Sequence, residues 1–219
     1  MGLSNAEEKY LKAILILSGS PDRTVSTNAI AANLKTSAAS VTDMLKRLSD
    51  KKLIAYERYK GASLTPEGQR IATTQLRKNR LWEVFLVRTL GMTWDEVHGI
   101  AGELEHISSD RLIDLLDTFL ENPKYDPHGD PIPSARGNYT LRAQTPLSDL
   151  KEGQQAVIIG VKNDDPAFLK NLTEKGLIPG TMLRILSNDP HDNTMRLVAE
   201  SKELNVSGLI ANTILIKRL

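Results

Sequence analysis

The chain has 219 residues, of which 40% are hydrophobic and 25% are charged, and this is the composition of a globular protein. No apolar run approaches the ~18 residues that a membrane-spanning helix needs. The N-terminus lacks a basic stretch followed by an apolar core, so no secretory signal is predicted and we expect a cytoplasmic protein. The absence of cysteine excludes disulfide frameworks, thiolate zinc sites, cysteine nucleophiles and iron–sulfur clusters.

The formal net charge of +1 conceals an uneven distribution along the chain. Residues 1–80 carry 14 Lys and Arg against 7 Asp and Glu, whereas residues 81–219 carry 14 against 20. A basic N-terminal third favours a nucleic-acid-binding domain that is joined to other domains. A solvated helix surface is the alternative, and charge alone does not choose between the two.

The first third of the sequence predicts a winged helix-turn-helix. A capping box formed by Ser4 and Glu7 starts a first helix, which Gly19 and the residues after it end. A short helix over about 27–34, a turn at 35–37 and a helix over about 38–50 match the helix-turn-helix motif. Residues 53–64 then predict a hairpin with a glycine near its turn.

The second helix of this motif offers small, polar and basic side chains to the major groove, and the hairpin tip offers cations to the sugar–phosphate backbone. The residues predicted to contact DNA are Thr27, Ser37, Ala39, Ser40, Thr42, Asp43, Lys46 and Arg47, and at the hairpin tip Arg58, Tyr59 and Lys60. A winged helix that is used only for protein contacts is the alternative.

Three helices are predicted in the middle of the chain. The first starts at Thr65-Pro66 and runs to about Leu90, and a second capping box at Thr93–Glu96 opens the next. Ser109-Asp110 begins the third, which Asn122-Pro123 ends. Because these helices are rich in leucine and aromatic residues, we expect a partner surface and a dimer.

This middle segment also contains the groups that favour a metal site. Three of the four histidines lie between residues 98 and 128, and residues 81–130 carry 11 Asp and Glu against 3 Lys and Arg. Mutual repulsion of such carboxylates favours a divalent cation as counter-charge. His98 and Glu105 would lie about 10.5 Å apart along one helix, too far to bind the same ion. Asp126 and His128 lie two residues apart on a rigid turn of proline and glycine.

The last third predicts a small barrel after a linker. Residues 125–145 are rich in proline and glycine, which indicates a linker. Five short strands, over about 156–161, 182–186, 195–199, 203–206 and 213–216, predict a small SH3-like barrel with one helix over about 168–175. His191 is predicted to lie in a hairpin turn rather than to bind a metal. The expected fold is therefore α+β, with a winged helix-turn-helix over 1–74, a helical domain with linker over 75–142 and the barrel over 143–219.

Several motifs together resemble those of the diphtheria toxin repressor family of metal-dependent regulators. They are the helix-turn-helix, Arg77-Lys78-Asn79-Arg80-Leu81, Val97-His98, Glu105-His106 and Pro127-His128-Gly129-Asp130-Pro131-Ile132-Pro133. The resemblance covers essentially the whole chain. It implies a homodimeric repressor of manganese or iron homeostasis that binds a palindromic double-stranded DNA operator when Mn²⁺ or Fe²⁺ is bound to its helical domain.

The resemblance implies two metal sites, of which the first is altered in this chain. That site would use Glu105 and His106, but Lys9 stands where the family has Asp or Met, and Gly102 stands where it has Cys or Glu. Since a protonated ammonium group cannot ligate a metal, our hypothesis is that Lys9 takes the place of the ion and pairs with Glu105.

For the second site the resemblance implies a more complete ligand set. Glu83 and His98 match family ligands, although Asn79 replaces a further histidine. Asp126 and His128 match loop ligands of the manganese-sensing branch, which adds an acid near Asp164 or Asp165. Such oxygen and nitrogen donors suit Mn²⁺ or Fe²⁺.

Two other functions remain as alternatives. One is a winged-helix regulator that binds DNA without metal, because Lys9 fills its first site. The other is a metal-dependent hydrolase that uses the same Glu and His cluster, but no nucleophile motif or phosphate-binding glycine loop supports it, so no enzyme is predicted.

Overall fold

The computed structural model describes residues 2–19, 23–189 and 191–219, which form two compact units. The first unit comprises the residues up to Asn79 together with 104–110 and 133–138. The second comprises residues 80–103, 111–132 and 139–219. Two short segments from the middle of the chain, residues 104–110 and 133–138, therefore pack with the N-terminal residues and not with the rest of the helical segment.

The winged helix lies in the first unit, as the sequence predicts. It consists of α1 (Asn5–Ser18), α2 (Thr27–Asn33), α3 (Ala38–Asp50) and a hairpin of β1 (Ile54–Glu57) and β2 (Gly61–Leu64). Ser4 and Glu7 form the predicted capping box, and Ser26 and Ser37 cap α2 and α3. The fully buried side chains of α3, at Val41, Leu45 and Leu48, pack into the core of this unit, so the opposite face of the helix is exposed.

Helix α4 (Pro66–Arg88) contributes residues to both units. Thr65 caps it by accepting a hydrogen bond from the Gly68 amide at 3.2 Å. The predicted capping box at Thr93 is present only as a turn, and α5 begins later, at Val97 (Val97–Leu104). The prediction that the helix opens at this box was wrong. Residues 94–96 form a turn instead, because Trp94 is buried in the core formed by the C-terminal strands.

Helix α6 (Asp110–Phe119) buries Ile113 and Leu116. Its other apolar residues remain exposed, with 38% of Leu112, 57% of Leu115 and 63% of Phe119 accessible to solvent. A helix face this apolar on the surface is typical of an interface. The expectation of a partner surface in the helical segment therefore has a structural counterpart on α6.

Residues 145–218 form a six-stranded antiparallel sheet, here called the C-terminal sheet domain. The strand order is β3-β8-β4-β5-β6-β7. The strands are β3 (Thr145–Pro146), β4 (Gln155–Val161), β5 (Met182–Asn188), β6 (Met195–Ala199), β7 (Lys202–Val206) and β8 (Ile214–Arg218). All five predicted strands are present, as is the predicted helix, α7 (Pro166–Glu174), whereas β3 and the short helix α8 (Gly208–Thr213) were not predicted. His191 lies in the β5–β6 connection, as expected.

No helix among the described residues combines the length and the apolar character that crossing a bilayer requires.

Candidate metal centre and nucleic-acid interface

Three buried side chains converge in the second unit. Glu83 from α4 and Asp126 and His128 from the loop after α6 each offer a ligand atom, and these atoms lie within 4.8 Å of one another. The residues are 2%, 8% and 5% exposed. Buried ionisable groups need compensation by partners or by a metal ion. The cluster is therefore the candidate metal centre.

The imidazole of His128 is held in one orientation. Its Nε2–H donates to the Trp94 backbone carbonyl at 2.7 Å, because a carbonyl oxygen can only accept. Its Nδ1 consequently faces Glu83, 3.6 Å from Oε2. Ligating histidines commonly donate their second ring N–H to a carbonyl group in this way, which fixes the tautomer. Nδ1 is therefore the ring nitrogen of His128 that would bind an ion once it has lost its proton.

Asp126 is fixed by its own loop and by Arg80. Its Oδ1 accepts hydrogen bonds from the amides of His128 and Asp130, both at 2.9 Å. Its Oδ2 lies 3.2 Å from Nε of Arg80, whose guanidinium also pairs with Asp130 at 2.9 Å. Arg80, three residues before Glu83 on α4, thereby links the ligand-bearing loop to the helix.

The electrostatics of the cluster follow from burial and mutual contacts. Burial alone would raise the pKa of Glu83, but hydrogen bonds and charges from His128 and His98 lower that pKa to about 2. Burial, reinforced by the charge of Glu83, raises the pKa of Asp126 to about 7. Burial opposes the charge of His128, yet Glu83 and Asp126 raise its pKa to about 9. At neutral pH the cluster therefore holds protons that a divalent cation would displace.

The donor set fits a divalent ion of intermediate hardness. Two carboxylates and one imidazole converge, and cysteine is absent from the chain. Oxygen donors with a single nitrogen suit Mn²⁺ and Fe²⁺ and do not favour the soft metals that thiolates select. The residues present therefore fit the metal that the sequence predicts.

The other predicted ligands of this centre are exposed side chains. Nδ1 of His98 lies 3.1 Å from Oε1 of Glu83, but the His98 side chain is 59% exposed and is not one of the three converging groups. Asp164 and Asp165 are both exposed, and Asp165 caps α7 by accepting from the amides of Ala167 and Phe168. The structure does not bring these two aspartates into the cluster.

Glu105 and His106 form a separate cluster with α1 in the first unit. Glu105 is 1% exposed and makes an ion pair with Lys12, and His106 Nδ1 lies 3.1 Å from Glu8. The hypothesis that Lys9 pairs with Glu105 was wrong, because Lys9 is exposed. Glu8 and Lys12 are four residues apart and so share a helix face, and this spacing was the signal that the sequence offered.

The candidate nucleic-acid interface is the outer face of α3 with the hairpin tip. Ser37, Ala39, Ser40, Asp43, Lys46 and Arg47 are exposed, and Thr27 and Thr42 are half-buried. At the tip, Tyr59 is 91% exposed and its ring lies 5.0 Å from the guanidinium carbon of Arg58, while Lys60 pairs with Glu57. The eleven predicted DNA contacts therefore lie on accessible or partly accessible positions of a winged helix.

A winged helix with an exposed polar recognition helix and a buried carboxylate–imidazole cluster defines a metal-dependent DNA-binding protein. Three protein-family models match in order along the chain: the N-terminal DNA-binding domain of iron-dependent repressors over residues 2–62, their metal-binding and dimerisation domain over 65–134, and the FeoA domain over 145–218. The chain belongs to the iron-dependent, or diphtheria toxin, repressor family, whose members are metal-dependent transcriptional repressors and not enzymes.

Individual relatives agree with this assignment. The iron-dependent repressor IdeR of Mycobacterium leprae is 24% identical over 206 residues, which are 87% of each chain. A manganese-dependent transcriptional repressor solved in complex with manganese is 30% identical, with a TM-score of 0.82 over 97% of this chain and 100% of its own. The manganese regulator SloR is 34% identical, with a TM-score of 0.73 over 97% and 98% of the two chains.

Proposed function

We propose that this protein is a cytoplasmic transcriptional repressor that controls manganese or iron homeostasis. As a homodimer it binds a palindromic operator when Mn²⁺ or Fe²⁺ is bound. The observation that carries this proposal is the buried cluster of Glu83, Asp126 and His128 in a chain that also contains a winged helix. We expect a cytoplasmic location, because a repressor must have access to the DNA operator that it binds.

We assign a different function to each of the three predicted domains. Residues 1–74 read DNA, residues 75–142 hold the ion and pair two copies of the chain, and residues 143–219 form the C-terminal sheet domain. The exposed face of α6, at Leu112, Leu115 and Phe119, supports the assignment of the pairing surface to the helical domain.

The DNA-reading surface has two parts with different tasks. Ala39 and Ser40 are small and exposed near the start of α3, so the helix backbone can approach the base edges closely. Lys46 and Arg47 further along α3, and Arg58 at the hairpin tip, supply cations for phosphates. In a two-fold symmetric dimer the two α3 helices meet successive major grooves about 34 Å apart, so the operator is an inverted repeat.

A divalent cation would neutralise the negative charges of the two carboxylates in the cluster when both are ionised. Glu83 and Asp126 would hold the ion through carboxylate oxygens and His128 through Nδ1, with His98 adjacent to Glu83. One of Asp164 and Asp165 remains a predicted further ligand. An ion held by both α4 and the loop would reinforce the link that Arg80 makes and would restrict the distances that the two α3 helices of a dimer sample. Couplings of this kind are worth about 1–3 kcal/mol, or about 5- to 150-fold in DNA affinity. The manganese and iron named for the relatives support Mn²⁺ or Fe²⁺ as the ion.

One observation favours a second candidate function, a regulator that binds DNA without metal. The Lys12 ammonium group pairs with buried Glu105, and Glu8 contacts His106, so protein side chains satisfy this second cluster. Glu105 and His106 stay predicted ligands only if Lys12 is displaced. The two candidates differ in whether a metal ion must be bound at the Glu83 cluster before the protein binds its operator.

The test is DNA binding with and without Mn²⁺. DNA selected from a random library by the Mn²⁺-loaded protein serves as the probe, and affinity is measured by fluorescence anisotropy with Mn²⁺ and with a chelator. We expect an inverted repeat and an affinity at least about fivefold higher with Mn²⁺. Glu83→Gln removes the charge of a buried ligand and abolishes the Mn²⁺ response, whereas Glu103→Gln, the same change at an exposed position of α5, retains it. Equal affinity with and without Mn²⁺ would favour the metal-independent regulator.

A further inference from the structure

We infer that the C-terminal sheet domain is a structural part of the metal centre, because strand β4 and Trp94 position His128. This inference rests on the proposed metal site and deepens it, since it names residues that set the metal affinity without touching the ion. Every contact that supports it lies within the second unit.

The first link is a direct contact between two backbones. The Val161 amide of β4 donates to the backbone carbonyl of His128 at 2.9 Å. A Cβ atom on Gly160 would lie 2.3 Å from that carbonyl oxygen and 2.8 Å from Cα of Gly129. The ladder between β4 and β8 shifts register at this point. Only a residue without a side chain at position 160 therefore allows the loop to reach the strand.

The second link runs through Trp94. The His128 ring stacks on the indole with 5.9 Å between ring centroids and 19° between planes, and it donates Nε2–H to the Trp94 carbonyl. Trp94 is 6% exposed, belongs to the core of the C-terminal sheet domain and donates its Nε1–H to Oγ1 of Thr173 on α7 at 2.7 Å. The sheet core thus fixes the group that sets the His128 tautomer.

The third link is the guanidinium of Arg142. It donates to the backbone carbonyls of Gly129 at 2.8 Å and of Ile159, and so bridges the loop and β4. It lies over the Tyr125 ring, 3.9 Å from the centroid. The loop that carries Asp126 and His128 is consequently attached to β4 directly at His128 and through Arg142 at Gly129.

These links predict that a small separation of loop and strand lowers the metal affinity. A ligating imidazole needs its outer hydrogen bond for orientation, and loss of such a partner costs about 10- to 100-fold in affinity. A movement of the loop breaks two hydrogen bonds of His128 at once: that of its carbonyl group with the Val161 amide and that of its Nε2 with the Trp94 carbonyl group. The C-terminal sheet domain therefore acts through His128 as a positioning element.

The test inserts one methyl group between loop and strand. Gly160→Ala in the full chain is compared with Gly2→Ala, at an exposed position where a new Cβ meets no atom within 4 Å. Calorimetry measures the Mn²⁺ dissociation constant, and visible absorption of the Co²⁺-loaded protein reports its ligands. We expect Gly160→Ala to weaken Mn²⁺ binding about tenfold or more and to alter the Co²⁺ spectrum. Gly2→Ala keeps both wild-type values. A folded Gly160→Ala protein with wild-type affinity and spectrum would overturn the inference.

A second pair of variants decides the matter if Gly160→Ala does not fold. Thr173→Val removes the acceptor of the Trp94 indole, whereas Thr173→Ser keeps it. We expect weaker Mn²⁺ binding in the valine variant and wild-type binding in the serine variant, and equal binding in the two would refute the role of Trp94. If the wild-type chain takes up neither Mn²⁺ nor Co²⁺, the proposed function itself fails, and this result is distinct from a failure of the inference alone.

Discussion

The pair formed by Lys12 and Glu105 gives a quantitative prediction about the first unit. The Glu105 side chain is 2% exposed and that of Lys12 is 12% exposed, and the two lie 93 residues apart in sequence. Removing one partner of a buried ion pair costs about 3–5 kcal/mol, because the remaining charge is left unpaired. Because the Lys12 side chain is partly accessible to solvent, we expect the lower end of this range: Lys12→Met should lower the free energy of unfolding of the first unit by about 3 kcal/mol.

Replacing both partners should restore most of this loss. Apolar residues of similar volume in place of a buried ion pair are close to neutral, so Lys12→Met combined with Glu105→Leu should lie within about 1 kcal/mol of the wild type. Native-state hydrogen exchange of the α1 amides measures the opening free energy of this region. The control is Lys60→Met, which breaks an exposed pair with Glu57 and leaves α1 exchange unchanged. A double variant less stable than Lys12→Met alone would refute the reasoning.

Three further predictions concern the metal, the DNA and the dimer. The pKa of Asp126 is raised to about 7 and that of His128 to about 9, so both groups give up protons on coordination; Mn²⁺ affinity should rise with pH below the higher value, and calorimetry in buffers of different protonation enthalpy should record proton release. A pH-independent affinity would contradict this. Arg58→Ala should weaken binding to all DNA sequences alike and lower the salt slope by about one, measured by anisotropy over a salt series, with Mn²⁺ affinity unchanged; a loss confined to one sequence would assign Arg58 to base reading. Leu115→Asp should shift the dimer to monomers in analytical ultracentrifugation, because it places a charge on the apolar face of α6; an unchanged dimer would place the interface elsewhere.

Elements whose signals are local could be predicted from the sequence. Helix α3 spans residues 38–50 as expected, since Ser37 caps it and its apolar side chains repeat at helical spacing. The start of α5 could not be predicted in this way. The Thr93 amide does donate to the Glu96 carboxylate at 3.4 Å, as the box predicts, but residues 94–96 form only a turn, because burial of Trp94 in the core of the C-terminal sheet domain overrides the local preference for a helix.

The candidate site was predictable to the extent that sequence spacing places its residues together. Asp126 and His128 lie on one loop, and the resemblance to a known family joined them to Glu83. Contacts between remote segments were not predictable: Lys12 rather than Lys9 reaches Glu105 because of how α1 packs, and the spacing of Glu8 and Lys12 shows only that these two side chains share a face of α1. Arg80 and Trp94 were missed as supports of the cluster, although Arg80 lies one helical turn before Glu83.

Anomalous diffraction from crystals grown with Mn²⁺ tests the central claim most directly. The account predicts an anomalous peak within coordination distance of Glu83, Asp126 and Nδ1 of His128, and no peak between Lys12 and Glu105. Crystals of Glu83→Gln grown in the same way should lose the peak, whereas Glu103→Gln crystals should keep it. A Mn²⁺-loaded crystal with no peak at this cluster, or with its ion bound by other residues, would contradict the account.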